Sequence, residues 1–243
     1  MEFKTLTGTN VRAEGRKDVN SQLMYRSSIR DCAVEAIGTF FLLFAIASPN
    51  ATPLAVGSAL MVMVYAGGHL SGAHYNPAIT VAVQLAKHAT RPRLGASTTI
   101  AGVVVYMLSQ MTGAVLGVLA ADAVHDTASG DCRFQPREGA TTINILLAEM
   151  LATFALCYVV LQTAVHKDNG SKSFYGLSIG FTVLSMAHAV GSVSGGAFNP
   201  AVATAFVLVD GSSCSTLWHY WLAPTLGGIL ASMAFVYLAP SHK

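Results

Sequence analysis

The chain has 243 residues, of which 53% are hydrophobic and only 11% are charged, whereas soluble domains carry about 25% charged residues. Charged residues are absent from the long stretches 36–86, 94–121, 173–209 and 211–242. Because one helical membrane span needs about 20 apolar residues, this composition excludes an ordinary soluble enzyme. A net charge of +2 provides no basic face for a nucleic acid, and the continuous apolar runs argue against an outer-membrane barrel.

Residues 1–30 are polar and mixed in charge, and they lack the apolar core of a signal peptide. We interpret them as a cytosolic tail that precedes an all-α membrane domain over residues 31–240. The apolar runs predict six transmembrane helices near 31–48, 54–72, 97–121, 142–163, 173–192 and 216–239. Asp122 lies just beyond the third of these helices. Gly113 and Gly117, like Gly176 and Gly180, have the spacing that lets membrane helices approach closely.

The positive charges predict how the chain is oriented in the membrane. All of the 14 Lys and Arg residues except Arg133 and Arg137 lie in the tail, before the third helix, after the fourth helix or at the C-terminus. Cytoplasmic loops carry an excess of Lys and Arg, so we expect both termini in the cytoplasm, and an even number of spans agrees. The sequence does not distinguish the plasma membrane from an intracellular, vacuole-like membrane.

The chain contains a weak internal repeat, with one copy over about 31–121 and the other over about 142–240. Glu35 and Glu149 occupy matching positions 114 residues apart, and Asn76 and Asn199 occupy matching positions 123 residues apart. Each copy holds three predicted spans, an odd number, so the second copy should be inverted in the membrane. Inverted repeats place the functional site near the midplane of the bilayer.

Two Asn-Pro-Ala tripeptides predict two half-helices. The tripeptides are Asn76, Pro77 and Ala78, and Asn199, Pro200 and Ala201; apolar segments over 77–86 and 200–209 follow. Asn is a favoured helix cap and Pro is favoured at the first helical position. Ten residues form a helix of about 15 Å, which is half of a hydrocarbon core of about 30 Å. Two such helices that meet at their N-termini would make a seventh crossing.

These boxes, the two Glu-containing first helices and the segment 218–228 resemble the major intrinsic protein family, the aquaporins and aquaglyceroporins, over about residues 31–240. The resemblance implies six transmembrane helices plus two half-helices, and a homotetramer in the lipid bilayer with one pore per subunit. It implies a passive channel for water and small neutral solutes, with no cofactor and no enzyme activity. The amides of Asn76 and Asn199 would donate hydrogen bonds to passing water, while the positive helix ends repel protons and cations.

The family has an outer constriction that corresponds, counted without gaps from the boxes, to Val56, Ala187, Gly196 and Val202. Water-selective members usually have a large aromatic residue, a His, a small residue and an Arg there. This chain lacks the large groups, so we expect a wide, apolar filter similar to that of the plant vacuolar branch, which carries water with ammonia, urea or hydrogen peroxide. Glycerol is a weaker expectation, because Ala203, Tyr220 and Trp221 differ from the residues of glycerol-conducting relatives. His74 and His188 are further candidates for the pore wall.

Glu35 and Glu149 leave two functions open. Acids inside the membrane face the protein interior, where each carboxylate would accept hydrogen bonds from the loop before a half-helix. Alternatively, they would carry protons in a proton-coupled secondary transporter, which also predicts inverted repeats. A mainly structural membrane protein with a closed pore is a third possibility.

The remaining reactive side chains indicate no metal site. His69 and His74 lack a third convergent ligand. Cys132 and Cys214 are both expected on the non-cytoplasmic side. Whether they form a disulfide is left open, because lying on the same side does not fix the distance between them. Asn50, Ala51 and Thr52 form a glycosylation sequon in a short outer loop, whose use is also open.

Overall fold

The computed structural model describes residues 29–86, 100–127, 134–166, 172–211 and 214–238, and all regular structure within these segments is helical. The α-helices are, in chain order, α1 (29–47), α2 (Pro53–Gly67), α3 (Pro77–Ala86), α4 (Ile100–His125), α5 (Thr142–Val160), α6 (Tyr175–Ser194), α7 (Pro200–Asp210) and α8 (Leu217–Leu238). A π-helical turn, Leu161–Val165, continues α5, and short 3-10 turns precede α6 and α8. The predicted tail lies outside the described residues, except for Ile29 and Arg30, which already belong to α1.

The helices follow the predicted order of long helices and half-helices, except that α2, predicted as a full span, has only 15 residues. Among the described segments, α4, α5 with its π turn, α6 and α8 are long and apolar enough to cross a membrane. The half-helices α3 and α7 have 10 and 11 residues, so each reaches about halfway through a hydrocarbon core of about 30 Å.

Two helices, α2 and α4, end four or more residues from their predicted ends. Helix α2 stops at Gly67 instead of 72. It is followed by turns in which the backbone N–H groups of Leu70 and Ser71 share the Gly67 carbonyl oxygen, at 2.9 and 3.0 Å, and the chain leaves the helical conformation where Gly72 has a φ of 93°. Helix α4 runs past Asp122 and ends where Asp126 adopts a positive φ of 52°. A left-handed backbone residue, and not the first charge at the membrane boundary, therefore ends α4.

The two repeats meet where α2 packs against α6. A Cβ atom added to Gly57 would lie 2.6 Å from the carbonyl oxygen of Gly180, and one added to Gly180 would overlap the carbonyl oxygen of Gly57. These glycines are 123 residues apart, as are the two capping asparagines. The contact is therefore reciprocal, as expected where an axis relating two repeats passes through the molecule.

Within each repeat, the first and last long helices also touch at a glycine. Gly113 of α4 lies against the carbonyl group of Ala36 in α1, and Gly227 of α8 lies against the carbonyl group of Met150 in α5. Small residues permit this backbone contact between membrane helices. Ala36 and Met150 directly follow the buried residues Glu35 and Glu149. These helix contacts therefore help to fix the position of each carboxylate along its helix axis.

Gly113→Ala is expected to destabilise the protein, because the added Cβ would overlap the Ala36 carbonyl group, which has little freedom to move. Overpacking of this kind costs about 1–3 kcal/mol. Thermal unfolding in detergent measures the effect. Gly191→Ala is the matched control, because a Cβ at Gly191 meets no neighbouring atom closer than 3.9 Å. Equal melting temperatures for the two variants would contradict this account of the α1–α4 contact.

Candidate functional site

The half-helices begin at the Asn-Pro-Ala tripeptides for a local chemical reason. The side-chain oxygen of Asn76 accepts a hydrogen bond from the backbone N–H of Ala78 at 2.8 Å. The side-chain oxygen of Asn199 accepts one from the N–H of Ala201 at 2.9 Å. Each Asn thus caps a helix whose first residue is a Pro, which has no N–H to leave unpaired. Both tripeptides are buried.

Each capping side chain also reaches the opposite half of the molecule. Nδ2 of Asn76 donates to the carbonyl oxygen of Phe198 at 2.8 Å, and Nδ2 of Asn199 donates to the carbonyl oxygen of Tyr75 at 2.9 Å. These bonds hold together two helix N-termini, each of which carries roughly half a positive charge. A primary amide has two N–H donors, so each Asn retains one N–H beyond its bond to the opposite loop.

The carboxylate of Glu35 organises the loop before α3. It accepts hydrogen bonds from the Ser71 hydroxyl at 2.7 Å and from the backbone N–H groups of His74 and Tyr75 at 3.0 and 2.7 Å. The side-chain amide of Gln110, on α4, donates a fourth at 2.8 Å. Glu35 is fully buried, and a buried carboxylate requires partners of this kind. It therefore serves as the central acceptor of the loop.

Glu149 has the corresponding place in the second repeat. Its carboxylate accepts hydrogen bonds from the Ser194 hydroxyl at 2.6 Å and from the backbone N–H groups of Ala197 and Phe198 at 3.1 and 2.7 Å. Phe198 and Tyr75 both have a φ of 50°, a left-handed conformation that is uncommon outside glycine. Because a carboxylate binds the N–H of each, these residues stay in that conformation and aim their carbonyl oxygens at the asparagines.

Two tyrosines complete the frame, and the sequence analysis missed them. The hydroxyl of Tyr106 donates to the carbonyl oxygen of Ser71, and the hydroxyl of Tyr220 donates to that of Ser194 at 2.5 Å. Both tyrosines are buried. They lie 114 residues apart, the same spacing as the two glutamates, so an extension of the repeat alignment into α4 and α8 would have found them.

A cavity of about 350 Å³ lies against both boxes. Its wall includes all four residues expected to form the filter and both asparagines, together with a histidine: Val56, Ala187, Gly196, Val202, Asn76, Asn199 and His74. The side chains of the four filter positions are apolar, so any polar group of the wall at this level belongs to the backbone. His188 is exposed and outside the wall, because one step along a helix turns the side chain by about 100°.

The other reactive side chains remain apart from this cavity. His69 is exposed, and the described residues contain no group of three His, Cys, Asp or Glu side chains that could hold a metal ion. Cys132 lies outside the described residues, so whether it pairs with Cys214 stays an open question. Asn50 is exposed in the loop before α2, and whether it is glycosylated is equally open.

A comparison with known protein families assigns the chain to one of them: residues 22–237 match the family Major intrinsic protein. The chain belongs to the major intrinsic protein family. It is 33% identical to Aquaporin NIP1-1 of Zea mays, over 88% of this chain and 77% of that protein. It is 32% identical to Glycerol uptake facilitator protein-like 6 of Lactiplantibacillus plantarum, over 84% of this chain and 95% of that protein.

The solved structure of the aquaglyceroporin from Plasmodium falciparum has the same fold. It superimposes with a TM-score of 0.71 at 19% identity, covering 87% of this chain and 96% of that chain. The predicted class of six transmembrane helices and two half-helices is thereby confirmed. This major intrinsic protein is an integral membrane protein of the aquaporin type, in a family of channels and not of enzymes. NIP-type and TIP-type aquaporins are both similar to this chain. The expected resemblance to the plant vacuolar branch in particular is therefore only weakly supported.

One aromatic residue in the wall of this aquaporin-type cavity was not expected. Phe134, from the segment between α4 and α5, lines the cavity and is only 8% exposed. Its ring stacks on Phe206 with centroids 5.6 Å apart and meets Tyr220 edge-to-face at 4.9 Å. In the sequence, Phe134 follows a charged and polar stretch in which no periodic pattern marks a buried position, so its place in the wall could not be predicted.

Proposed function

We propose that this protein is a passive channel that carries water and small neutral solutes and excludes protons and other ions. The observation that carries the proposal is the meeting of two half-helix N-termini at the wall of one cavity. There Asn76 and Asn199 each have an N–H to donate to the oxygen of a passing molecule. The positive potential of the two helix ends repels cations, whereas a neutral solute passes without an electrostatic penalty.

The solutes follow from the chemistry of the outer ring, Val56, Ala187, Gly196 and Val202. No side chain of this ring carries a charge or a hydrogen-bonding group, and all four residues face the cavity. We therefore assign water, ammonia, urea and hydrogen peroxide to the channel. Glycerol is a weaker candidate, although one similar protein is named a glycerol uptake facilitator.

The proposal includes an assembly and an orientation. The channel domain, residues 31–240 in two repeats, forms a homotetramer in the bilayer with both termini in the cytoplasm. Apolar side chains are exposed along the described long helices, for instance Val104, Val105 and Leu108 of α4 at 48–52%. Such side chains fit contact with lipid or with neighbouring subunits.

Stopped-flow measurements on vesicles that contain the purified protein test this function. Water and urea should cross faster than in protein-free vesicles, with a flux that does not saturate and does not respond to a pH gradient. Proton conductance should equal that of protein-free vesicles. Water and solute fluxes no greater than in protein-free vesicles, from correctly folded protein, would refute the channel and favour a structural role.

Val202→Arg is expected to raise the ratio of water to urea permeability. Val202 lines the cavity, so an Arg there narrows the ring and adds a fixed positive charge with several donors. Water can bond to the guanidinium, whereas urea loses room. A further barrier of about 1.4 kcal/mol for urea corresponds to a ratio about tenfold higher. Both permeabilities are measured on one vesicle preparation and normalised to protein.

Val202→Met is the matched control for this experiment, because it lengthens the side chain without adding charge. It should leave the ratio of water to urea permeability closer to the wild-type value than Val202→Arg does, because it adds neither a fixed charge nor hydrogen-bond donors. A folded Val202→Arg protein with the wild-type ratio would show that Val202 does not form part of the filter.

A further inference from the structure

The repeat allows each half of the pore wall to be compared with the other. Residues of α2 and α3 correspond to residues of α6 and α7 that lie 123 positions later, as the Gly57–Gly180 contact shows. Residues of α1 and α4 correspond to residues of α5 and α8 that lie 114 positions later, as Tyr106 and Tyr220 show. Every position on the outer side of the midplane thus has a counterpart on the inner, cytoplasmic side.

The cavity respects this symmetry at its centre and breaks it toward the inner side. At the centre, both members of each pair line the wall: Leu42 and Leu156, Leu60 and Val183, Asn76 and Asn199. The outer-ring residue Val202 and its inner counterpart Ile79 also both line the wall. Farther out, only the outer members do: Ile46, Val56, Ala187, Gly196 and Phe206. Their inner counterparts do not belong to the wall and are at most 7% exposed: Val160, Ile179, Val64, Ala73 and Val83.

At three of these five positions the inner residue is larger than its outer counterpart, whereas Val83 and Val160 are smaller than Phe206 and Ile46. Val64 replaces Ala187, Ile179 replaces Val56, and the residue that corresponds to Gly196 is an alanine. The inner counterparts belong to one packed cluster of buried apolar side chains. These five inner residues therefore pack against neighbouring side chains, and none of them borders the cavity.

Tyr175 also contributes to this difference. Its counterpart is Thr52, which lines the outer mouth of the cavity. A Cβ atom added to Gly191, on the outer side, would have no neighbour closer than 3.9 Å, whereas one added to its counterpart Gly68 would lie 3.0 Å from the Tyr175 hydroxyl oxygen and 3.2 Å from its ring. The tyrosine ring therefore occupies the inner space that is open on the outer side.

Contacts at the cytoplasmic end of α6 hold the Tyr175 ring in place. The ring of Tyr65, on α2, meets it edge-to-face with centroids 5.2 Å apart. The Tyr65 hydroxyl donates to the carbonyl oxygen of Ser173 at 3.1 Å and accepts a hydrogen bond from the N–H of Leu177 at 3.1 Å. Tyr65 of α2 is thus bonded to residues that lie two positions before and two positions after Tyr175. These bonds hold α2 against the start of α6 and restrict movement of the Tyr175 ring.

We infer that Tyr175, Val64 and Ile179 form the narrowest part of the pore, so that the size limit for solutes lies on the cytoplasmic side of the midplane. The outer ring is then an open vestibule that admits neutral molecules without sorting them. This inference rests on the proposed channel function. It assigns fast passage to solutes about as wide as water, such as ammonia, and slower passage to urea.

The test exchanges residues between counterpart positions. Tyr175→Thr places the outer residue on the inner side and should raise urea permeability at least about threefold, with a smaller rise for water, because the barrier removed is steric. Tyr175→Phe keeps the ring and should leave urea permeability at the wild-type level. Ala187→Val, the reverse exchange at the outer ring, should change urea permeability by less than about twofold.

Val64→Ala is the second opening variant, used should Tyr175→Thr fail to fold, and size-exclusion chromatography establishes which variants are folded. Wild-type urea permeability in the folded opening variants would overturn the inference while leaving the channel function intact. A loss of urea flux in Ala187→Val would also overturn it, because the outer ring would then be limiting. An impermeable wild type with a permeable Tyr175→Thr variant supports the inner constriction. If neither conducts any solute, the channel function itself fails.

Discussion

Cations are expected to leak through the pore when both capping asparagines are replaced, Asn76→Asp together with Asn199→Asp. Asp caps a helix as well as Asn does, so α3 and α7 should still begin at the same residues. The second carboxylate oxygen, however, takes the place of the N–H that donates to a carbonyl oxygen of the opposite loop at 2.8–2.9 Å. Two acceptors then face each other, the bridge between the helix ends is lost, and two negative charges stand beside the cavity.

The size of this effect follows from Coulomb's law. A unit charge about 4 Å from a cation at an effective dielectric of 20 contributes about 4 kcal/mol. Since about 1.4 kcal/mol corresponds to a factor of ten, we expect sodium and proton conductance to rise at least about tenfold. Vesicles loaded with an ion-sensitive dye measure it.

The double variant Asn76→Ser with Asn199→Ser is the matched control for the Asp variants. Ser also caps a helix, but it is too short for the bridge and adds no charge. A leak in the Asp variant alone assigns ion exclusion to charge at the midplane. A leak of equal size in both would assign it to the bridge, and ion-tight, water-conducting Asp vesicles would contradict the proposed midplane barrier.

Glu149→Leu is expected to abolish folded protein. It leaves the Ser194 hydroxyl and the N–H groups of Ala197 and Phe198 without their acceptor. Each buried, unpaired donor costs about 1–3 kcal/mol, so the loss approaches the 5–15 kcal/mol by which native proteins are stable. The yield of monodisperse protein from a detergent extract measures the outcome. A normal yield would show that the carboxylate does not hold this loop.

Glu149→Gln distinguishes a structural carboxylate from a proton carrier. The Gln oxygen can keep the Ser194 and Ala197 bonds, while its NH2 group meets only the Phe198 N–H, so one bond of three is lost. We expect lower stability but persistent water flux per folded molecule. A proton-coupled transporter would instead lose all transport in the folded Gln variant, and that result would favour the alternative function.

Local chemistry is what made much of this protein predictable from its sequence. The start of α3 and α7 depends on Asn and Pro at adjacent positions, and the capping bonds span only two residues, so the tripeptide was sufficient. The long helices followed from apolar composition. The packing role of Gly113 followed from its spacing to Gly117, because a helix brings these positions onto one face.

The parts that the sequence did not reveal depend on residues far apart in the chain. The bonds from Asn76 to Phe198 and from Asn199 to Tyr75 join positions more than a hundred residues apart, and nothing near either asparagine indicates its partner. The same applies to Gln110, which reaches Glu35 from another helix. The end of α2 at Gly67 was missed because uncharged residues continue through the turn, whereas the turn brings the Ser71 hydroxyl to the Glu35 carboxylate, which lies on another helix.

The reciprocal bonds between the two Asn-Pro-Ala loops have a consequence for biogenesis. Asn76 binds Phe198, and the counterparts of these residues, Asn199 and Tyr75, bind each other in the same way. Such reciprocal contacts are typical of the interface in a two-fold symmetric dimer. The two halves of this chain thus resemble two protomers joined in one polypeptide. The ribosome delivers the N-terminal half first, and the Asn76 side chain has no carbonyl to bind until Phe198 enters the membrane. On the proposed function, the ion barrier therefore forms only after the second half has been made. A nascent chain that is arrested before α7 contains α3 but lacks the partner carbonyl group of Asn76.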